Sequence, residues 1–548
     1  MGAEWHRSLL YIVEQAREYG LVLYGAGYWG KIAYDLFELF HVTPLCFCDD
    51  DAEKKGASHC GIPVYSLDEA ADKYEKAVFV VCIDETPSAG EWNRRTRACM
   101  IGRLQEKGVY SANSEMHLPF YVFLLDTGLE VVSQEIESTF IPEDMFVAEE
   151  LKRIILFNNM SNSGSYYLEQ LLDGHSHMLF LPYIESLERV YVKRLKYLKG
   201  KELIIEMLAQ MLGYFHSQYE GIGCVGQHRF QNFCVDEQGE FIHDILIDPR
   251  EFVIELRKQF GGCVRLKSYG HMLKIYFAAY NNCLGRRKEK DIDYWMFYHM
   301  HLPNFEVSSM YHNLYPEEFS RIENLIIIRE PVQHCYSWIR RFVIKEKNNV
   351  AVRRPLFSAI IKSELGIMLE RQTGYKNVRA IKFEDLKYHT KATLQSLCIW
   401  LDIPFENQML DTTVNGFVIY FPANTPTGVK YITGNDTSTV KLTDFSEVMT
   451  LWDQTRLNMI FGKFKRAYQY DTSVPAFSEF SKEERTHMLK EGFKLADIVE
   501  NVILEKGNED EIYDVNSFIK NIFEQYMDGY QSDTEYYDYI RPVEKEEY

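Results

Sequence analysis

The sequence contains no long apolar run, no excess of positive charge and no paired cysteine motif. Because a membrane-spanning helix needs about 20 apolar residues, we expect no membrane span. The net charge of −20 argues against a nucleic-acid-binding protein, which neutralises phosphates with basic side chains. Eleven cysteines without a Cys-x-x-Cys pair predict neither a zinc site nor a disulfide scaffold, and they favour a reducing, cytoplasmic environment.

The negative charge is concentrated near the end of the sequence. Residues 505–548 hold 13 acids against 4 Lys/Arg, which is a net charge of −9 out of the total of −20. The rest is therefore only mildly acidic and can still hold a local basic site for an anion. The stretch is also rich in tyrosine and lacks a clear periodicity after about Tyr530, so we expect its end to be frayed.

The histidines do not form a pattern typical of metal sites. His175/His177 and His299/His301 are pairs spaced by two residues, and neither pair has an obvious carboxylate partner. We therefore predict no metal site.

A glycine-rich elbow follows an apolar strand pattern near the beginning of the chain. Residues 21–24 predict a buried strand, and an amphipathic helix pattern over 31–40 follows the elbow. A second strand, 44–48, leads into three acids, Asp49, Asp50 and Asp51, which places an acid about 20 residues past the glycines, where a ribose hydroxyl would lie. A third strand at 77–83 completes a β-α-β-α-β plan, which predicts a Rossmann-like parallel sheet.

Two interpretations of this elbow remain open. The glycines can serve only close packing of strand against helix, or NAD or another nucleotide can bind here. The residues that would form this possible second nucleotide site are Gly25, Gly27, Gly30, Asp49 and Asp50. The module resembles the small Rossmann-like domains attached to bacterial surface-polysaccharide enzymes.

A second elbow has a different composition. An apolar run at 154–157 predicts a buried strand, residues 158–165 are polar with one Gly and three Ser, and Tyr167, Leu168, Leu171 and Leu172 recur at helical spacing. Strand, polar loop and helix in this order form an anion cradle, because the loop amides and the helix N-terminus converge. A Gly-Lys-Ser/Thr sequence is missing, which argues against a nucleotide-triphosphate loop and against a kinase.

A second anion-binding pattern lies further along. Residues 325–328 predict a buried strand, Arg329 follows at its end, and Ser337 lies eight residues on in a predicted helix. Arginine can fork onto a phosphate and a hydroxyl can complete the shell. A structural salt bridge is the alternative role for Arg329.

These blocks together resemble the PAPS-dependent sulfotransferases, over about residues 151–470. A third block, 378–386, followed by a helix that ends in 400–404, resembles the later core of the same family. The resemblance implies a P-loop-like α/β fold in which the elbow cradles the 5′-phosphosulfate of PAPS while Arg329 and Ser337 hold its 3′-phosphate. The elbow residues concerned are Asn162, Ser163, Gly164, Ser165 and Tyr166.

The resemblance also implies a general base. Residues 298–303 are similar to the Lys-Thr-His-Leu-Pro strand end of the cytosolic sulfotransferases, with His301 at the position of the base and His299 at that of the Lys. One departure concerns Asn162, where the family carries a Lys or Arg that assists the leaving group. Either another cation acts instead, or the chain is a slow or inactive member; the candidate cations are Lys152, Arg153, Lys430 and Lys441.

We therefore predict an α/β protein with a Rossmann-like domain (1–125), a linker (126–150), a sulfotransferase domain (151–470) and a helical, acidic C-terminal extension (471–548). Its predicted function is sulfuryl transfer from PAPS, with PAP as product, to a hydroxyl of a small-molecule or carbohydrate acceptor such as a surface-polysaccharide precursor. One alternative is an NAD- or nucleotide-sugar-dependent enzyme whose activity resides in the first domain. The other is a catalytically weak PAP/PAPS-binding protein. The sequence leaves the oligomeric state open.

Overall fold

The chain forms two compact units in a computed structural model. The first contains the described residues of Met1–Glu150, Ile184–Cys234 and Phe241–Lys290, and the second contains those of Leu151–Tyr183, Val235–Glu240 and Asp291–Tyr548. The structure describes residues 15–39, 42–83, 91–109, 140–158, 163–182, 187–193, 195–211, 247, 249–300, 318–345, 378–425, 428–433, 445–470, 475–505, 515–527 and 539–543.

Strands and helices are numbered in chain order. The strands are β1 (Leu21–Tyr24), β2 (Cys46–Cys48), β3 (Ser58–His59), β4 (Ile62–Tyr65), β5 (Val78–Val81), β6 (Arg153–Asn158), β7 (Met178–Phe180), β8 (Trp295–Met300), β9 (Arg321–Ile328), β10 (Val378–Lys382), β11 (Thr413–Val414), β12 (Phe417–Val418), β13 (Phe421–Thr425), β14 (Gly428–Ile432) and β15 (Tyr539–Ile540). The helices are α1 (Tyr28–Leu39), α2 (Leu67–Lys73), α3 (Glu91–Glu106), α4 (Ser165–Leu172), α5 (Leu187–Lys193), α6 (Gly200–Met211), α7 (Pro249–Phe260), α8 (Tyr269–Cys283), α9 (Pro331–Trp338), α10 (Phe383–Tyr388), α11 (Thr390–Leu401), α12 (Leu451–Ile460), α13 (Gly462–Ala467), α14 (Lys482–Lys490), α15 (Lys494–Glu505) and α16 (Val515–Tyr526).

The sheet of the first unit has the strand order β3-β4-β2-β1-β5. Every pairing is parallel except that of β3 with β4. The predicted third strand is present as β5, but β4 lies next to β2 and β5 pairs with β1. The sequence pattern did not predict β4, because only Val64 of its four residues is buried and no alternation is visible.

The sheet of the second unit has six strands in the order β15-β10-β9-β6-β8-β7, and all its pairings are parallel. Leu325 and Ile327 of β9 belong to an apolar core with α4 and α11. Ile326 and Ile328 belong to the core on the other face, with α9, α12, α15 and α16. A parallel sheet covered on both faces explains the continuous apolar runs of the sequence, and the predicted α/β class with parallel sheets is confirmed.

The carboxyl ends of four central strands lie at one edge of this sheet, because all its strands are parallel. These ends are Asn158 of β6, Met300 of β8, Ile328 of β9 and Lys382 of β10. Ligands of open parallel α/β sheets bind at this edge. The second elbow, Arg329 and the start of α10 therefore follow neighbouring strands.

The end of the chain corrects one prediction. Residues 539–540 were expected to be frayed, but they form β15, which pairs with β10 and buries Ile540 to 4% exposure. A strand of two residues is too short to show a periodicity, so the acidic composition dominated the sequence pattern. In the part of the chain that the structure covers, no helix has both the length and the apolar character that a bilayer crossing needs.

Candidate functional site

The second elbow connects β6 to α4 through a glycine that no other residue can replace without strain. Gly164 lies directly before α4 with φ of +95°, which is a left-handed conformation. A Cβ atom at this position would overlap the ring of Phe383, the first residue of α10. The elbow is therefore packed against the residue that follows β10. Residues 159–162, including Asn162, lie outside the described residues, and the role predicted for Asn162 stays a prediction.

Two buried polar side chains at this elbow have no hydrogen-bond partner among the described residues. They are the amide of Asn158, for which neither Oδ1 nor Nδ2 is bonded, and the hydroxyl of Ser163. Asn158 is 2% exposed and Ser163 is 1% exposed. Buried polar atoms in native proteins are nearly always bonded, and an unbonded one costs about 1–3 kcal/mol. Such atoms at the carboxyl edge of a parallel sheet are suited to a polar ligand.

Arg329 faces the same aromatic ring from β9. Its guanidinium carbon lies 4.9 Å from the centre of the Phe383 ring. Burial lowers the pKa of this guanidinium, and the Glu384 carboxylate opposes that shift. Phe383 thus contacts the glycine of the elbow and Arg329, so the structure brings two of the predicted anion-binding groups to one aromatic residue.

Glu384 is held in place by two hydrogen bonds. Its Oε1 accepts from the backbone N–H of Glu330 at 2.9 Å, and its Oε2 accepts from the Tyr470 hydroxyl at 3.0 Å. Burial raises the pKa of Glu384, and these hydrogen bonds and Arg329 offset part of the rise. A fixed carboxylate next to Arg329 supports the structural interpretation of this arginine as well as the functional one, since it orients the guanidinium in either case.

The structure leaves the predicted roles of Ser337 and His301 untested. Ser337 is half-buried in the last turn of α9, which begins at Pro331 and continues as a π-helical segment, Ile339–Lys345. A rise of about 1.5 Å per residue puts Ser337 roughly 9 Å along the axis from Pro331. His301 lies outside the described residues. A shared phosphate between Arg329 and Ser337, and the role of His301 as base, stay predictions.

His299 has a carboxylate partner that the sequence did not reveal. Its Nδ1 lies 2.7 Å from Oε2 of Glu169, which is on α4. The imidazole also contacts the rings of Phe157 and Tyr166, at centroid distances of 5.1 and 5.4 Å. The 130 residues between Glu169 and His299 explain why no pattern linked them. The parallel pairing of β6 with β8 brings them together.

Two of the candidate cations that could replace a charge at Asn162 lie at the amino end of β6, whereas the elbow follows its carboxyl end. Arg153 is the first residue of β6, and its Nη2 is 2.6 Å from Oδ2 of Asp293. Lys152 directly precedes it, and the elbow follows the opposite end of the strand. The side chain of Lys430 and all of Lys441 are outside the described part of the structure.

The two acids of the first elbow have hydrogen-bond and ion-pair partners within the chain. Oδ2 of Asp49 accepts from the backbone N–H of Ala26 at 2.7 Å and from Nζ of Lys54 at 3.1 Å. Asp50 accepts from the Tyr24 hydroxyl at 2.7 Å and is paired with Arg103.

The three glycines of this elbow differ in the space around them. A Cβ at Gly25 would lie 2.5 Å from the backbone oxygen of Cys82, and one at Gly30 would overlap the backbone oxygen of Gly25. Nothing lies within 4 Å of the Cβ position at Gly27. Two of the three glycines therefore serve close packing. Nucleotide binding at this elbow stays a prediction.

Comparisons with known proteins identify no family. No protein-family model and no curated protein matches the chain. The sulfotransferase domain of the curacin biosynthetic pathway is 16% identical with a TM-score of 0.29, and it covers 62% of this chain and 96% of its own length. The sulfotransferase domain of the Synechococcus PCC 7002 olefin synthase is 15% identical with a TM-score of 0.24, covering 50% of this chain and 81% of its own.

A third solved structure, sulfotransferase STF9 from Mycobacterium avium, is 10% identical with a TM-score of 0.26 and covers 53% of this chain and 75% of its own. Similarities of this degree identify neither the family nor the activity of the chain. Any proposal for the function therefore depends on the residues at the carboxyl edge of the second sheet.

Proposed function

We propose that the chain is a sulfotransferase that uses PAPS as its donor. The observation that supports this most directly is the arrangement around Phe383, which packs against Gly164 of the elbow and against Arg329. A donor with phosphates at its 5′ and 3′ positions needs two anion sites within the length of one nucleotide. The unbonded amide of Asn158 and hydroxyl of Ser163 supply further polar groups on the 5′ side of the proposed site.

The charge of the elbow favours sulfuryl over phosphoryl transfer. A transferred phosphoryl group concentrates negative charge, which lysine and Mg²⁺ usually neutralise. A sulfuryl group carries less charge, so hydroxyls, amides and a nearby arginine can be sufficient. The described elbow residues are of this neutral kind, with Ser163 and Ser165 on either side of Gly164.

The proposed reaction is a direct displacement at sulfur. The acceptor hydroxyl oxygen forms a bond to sulfur while the bond from sulfur to the bridging phosphate oxygen breaks, and PAP leaves with that electron pair. The hydroxyl proton goes to a general base, for which His301 is the candidate from the sequence resemblance. An imidazole suits this role near neutral pH.

The acceptor is proposed to be a hydroxyl of a carbohydrate, such as a surface-polysaccharide precursor. This part rests only on the resemblance of the first domain to those attached to polysaccharide enzymes. The proposed site of action is the cytoplasm. In the alternative, an NAD- or nucleotide-sugar-dependent reaction at the first elbow, the acids Asp49 and Asp50 would have to release the partners they hold.

Calorimetric titration with PAP and with NAD(H) tests the proposal. We expect PAP to bind to the wild-type protein, and Arg329→Ala to weaken binding about 10- to 100-fold, because a charge-assisted bidentate contact is lost. Arg329→Lys keeps the charge next to Glu384 and serves as the variant that folds if the alanine variant does not; it should bind PAP with intermediate affinity. Absence of PAP binding by the folded wild-type protein rejects the proposal, and binding of NAD(H) alone favours the alternative.

A further inference from the structure

The terminal strand β15 has only two residues, but it makes several contacts besides its pairing with β10. Ile540 is 4% exposed and belongs to the same apolar core as α4 and α11. Beyond the strand, Nη2 of Arg541 donates to Oε1 of Gln469 at 3.3 Å, and the backbone N–H of Val543 donates to the oxygen of Ala392 at 3.3 Å. These contacts fix the segment along β10, which would otherwise be the edge strand of the sheet.

Lys382, the last residue of β10, is a buried cation in contact with this segment. It is 7% exposed, and its Nζ lies 4.2 Å from the centre of the Tyr539 ring and 4.6 Å from that of Tyr470. The amine donates to the backbone oxygen of Gln469 at 3.2 Å, and within the described ranges no carboxylate forms an ion pair with it. Burial lowers the pKa of this amine. The two aromatic faces therefore contribute to stabilising its charged form.

Tyr470 connects this buried cation to the region of Arg329. Its hydroxyl donates to Oε2 of Glu384 at 3.0 Å, and Oε1 of the same carboxylate accepts from the backbone N–H of Glu330, the residue after Arg329. Burial and the Glu384 carboxylate raise the pKa of Tyr470, so the hydroxyl remains a hydrogen-bond donor. One side chain thus contacts Lys382 with its ring and Glu384 with its hydroxyl.

The ring of Tyr539 restricts where the ammonium group of Lys382 can lie. The guanidinium carbon of Arg541 is 4.9 Å from the centre of the same ring, so two cations contact it. A lysine side chain is flexible and strongly hydrated, and an ammonium group that loses an aromatic partner moves towards water. Without the Tyr539 ring, Lys382 would no longer be held against Tyr470, and the Tyr470 hydroxyl would be less restricted.

We infer that Tyr539 is a positioning residue for Arg329. It acts by holding Lys382 against the ring of Tyr470, whose hydroxyl orients the Glu384 carboxylate. The terminal strand thereby supports the 3′-phosphate side of the proposed donor site. This inference rests on the proposed function, and it gives a role to a segment whose composition predicted only a frayed end.

Binding of three nucleotides separates this role from a general effect on stability. PAP carries both phosphates, adenosine 3′-monophosphate lacks the 5′-phosphate, and adenosine 5′-monophosphate lacks the 3′-phosphate. We expect Tyr539→Leu, which keeps an apolar side chain but removes the aromatic face, to weaken binding of PAP and of adenosine 3′-monophosphate about threefold to tenfold. Binding of adenosine 5′-monophosphate should stay within about twofold of the wild-type value, because only a 3′-phosphate depends on Arg329. Calorimetric titration measures the three affinities.

Two matched variants control for the loss of the tyrosine. Tyr539→Phe keeps the aromatic face and should bind all three nucleotides as the wild-type protein does. Tyr197→Leu removes another tyrosine that has a lysine against its ring, with Nζ of Lys196 at 4.8 Å, but this tyrosine is 71% exposed in the first unit. It should change none of the affinities. If the leucine variant at 539 does not fold, Tyr539→Met fills the same space with a more adaptable side chain and replaces it.

A double-mutant cycle tests the order of the contacts. Tyr470→Phe keeps the ring against Lys382 but removes the hydrogen bond to Glu384. If Tyr539 acts through that hydroxyl, Tyr539→Leu should weaken PAP binding by less than about twofold in the Tyr470→Phe protein. Effects of the two changes that multiply in the double variant contradict the inference.

The outcomes distinguish this inference from the proposed function. If the wild-type protein binds no PAP, the proposed function and the inference both fall. If PAP binds but Tyr539→Leu weakens all three nucleotides equally, or none of them, the inference is wrong while the proposed function stands.

Discussion

The two elbows of this chain have the same order of strand, loop and helix but differ in how their polar groups are used. At the first, Asp49 accepts from Ala26 and Lys54, and Asp50 accepts from Tyr24 and pairs with Arg103. At the second, Asn158 and Ser163 are buried with no partner among the described residues. The two acids of the first elbow are therefore bonded within the chain, whereas the second elbow has buried polar atoms without a described partner.

This difference shows why glycine spacing alone is a poor guide to ligand binding. Both elbows contain glycines that approach another part of the backbone or an aromatic ring so closely that a Cβ would overlap it, as Gly30 and Gly164 do. Close packing therefore accounts for Gly30 in the first elbow and for Gly164 in the second. The neighbouring polar atoms give a second criterion, because a buried polar atom without a partner needs an explanation and a bonded one does not.

The largest effect is expected from Gly164→Ala, which breaks the second elbow. A Cβ there would overlap Phe383 and impose a left-handed conformation on alanine, at a cost of about 2–4 kcal/mol in the free energy of unfolding. PAP binding should fall below detection, because Gly164 connects the elbow to Phe383 and Arg329. Denaturant unfolding and calorimetry measure the two effects.

Gly261→Ala is the matched control for this variant. Gly261 also has a left-handed conformation, with φ of +63°, but nothing lies within 4 Å of its Cβ position. Its substitution should cost only the backbone strain, about 1–2 kcal/mol, and should leave PAP binding intact. Wild-type affinity for PAP in Gly164→Ala would show that the elbow is not the donor site.

Ser163→Ala tests whether the unbonded hydroxyl serves a ligand. Removing a buried hydroxyl that has no partner should leave the free protein equally stable or up to about 1 kcal/mol more stable. The same change should weaken PAP binding about tenfold, because one hydrogen bond to the ligand is lost. A loss of stability without a change in PAP affinity contradicts the comparison of the two elbows.

Ser268→Ala provides the control for a serine whose hydroxyl is in use. Ser268 caps α8 by accepting from the backbone N–H of His271 at 2.9 Å. Its substitution should lower the free energy of unfolding by about 1 kcal/mol. PAP affinity should not change. Ser163→Ala should therefore weaken PAP binding without loss of stability, whereas Ser268→Ala should lower stability without a change in PAP binding.

Local sequence patterns predicted the elements that carry the site. The apolar run before the second elbow and the periodic residues after it correspond to β6 and α4. The strands predicted at 21–24 and 325–328 are likewise present, as β1 and as the last four residues of β9. These signals lie within a few residues of the feature that they determine, so a single sequence is sufficient.

The contacts that complete the site could not be predicted in this way. Glu384 and Tyr470 are 86 residues apart, and Glu169 and His299 are 130 residues apart. Each pair depends on which strands are neighbours in the sheet, and local patterns do not determine strand order. The two-residue strand β15 could not be predicted for the same reason, because it is defined by its pairing with β10 and not by its composition.

Asp49→Ala should affect only the first elbow. The carboxylate fixes the backbone of Ala26, so its loss should lower the free energy of unfolding by about 1 kcal/mol, similar to the loss of a helix cap. PAP affinity should not change. Asp72→Ala, at an exposed position of α2, is the control and should change neither quantity. If the wild-type protein binds NAD(H) and Asp49→Ala abolishes that binding, the first elbow is a ligand site and the comparison is wrong.

The smallest effect concerns His175, a buried polar side chain of the second unit that is fully bonded. Nε2 lies 2.8 Å from the oxygen of Pro404, and Nδ1 accepts from the backbone N–H of His177 at 3.0 Å. Burial lowers the pKa of His175, so its contribution to stability is present above the unfolded pKa of about 6.5 and is lost as the pH falls through the lower folded value. The midpoint of thermal unfolding should therefore fall on acidification below about pH 6.5, and less steeply in His175→Gln. Equal slopes in the two proteins would mean that His175 is not held neutral. A protonated Nδ1 cannot accept the His177 N–H, so His175 would then be an incompletely bonded buried side chain away from the elbow, and the unbonded atoms of Asn158 and Ser163 would be weaker evidence for a binding site.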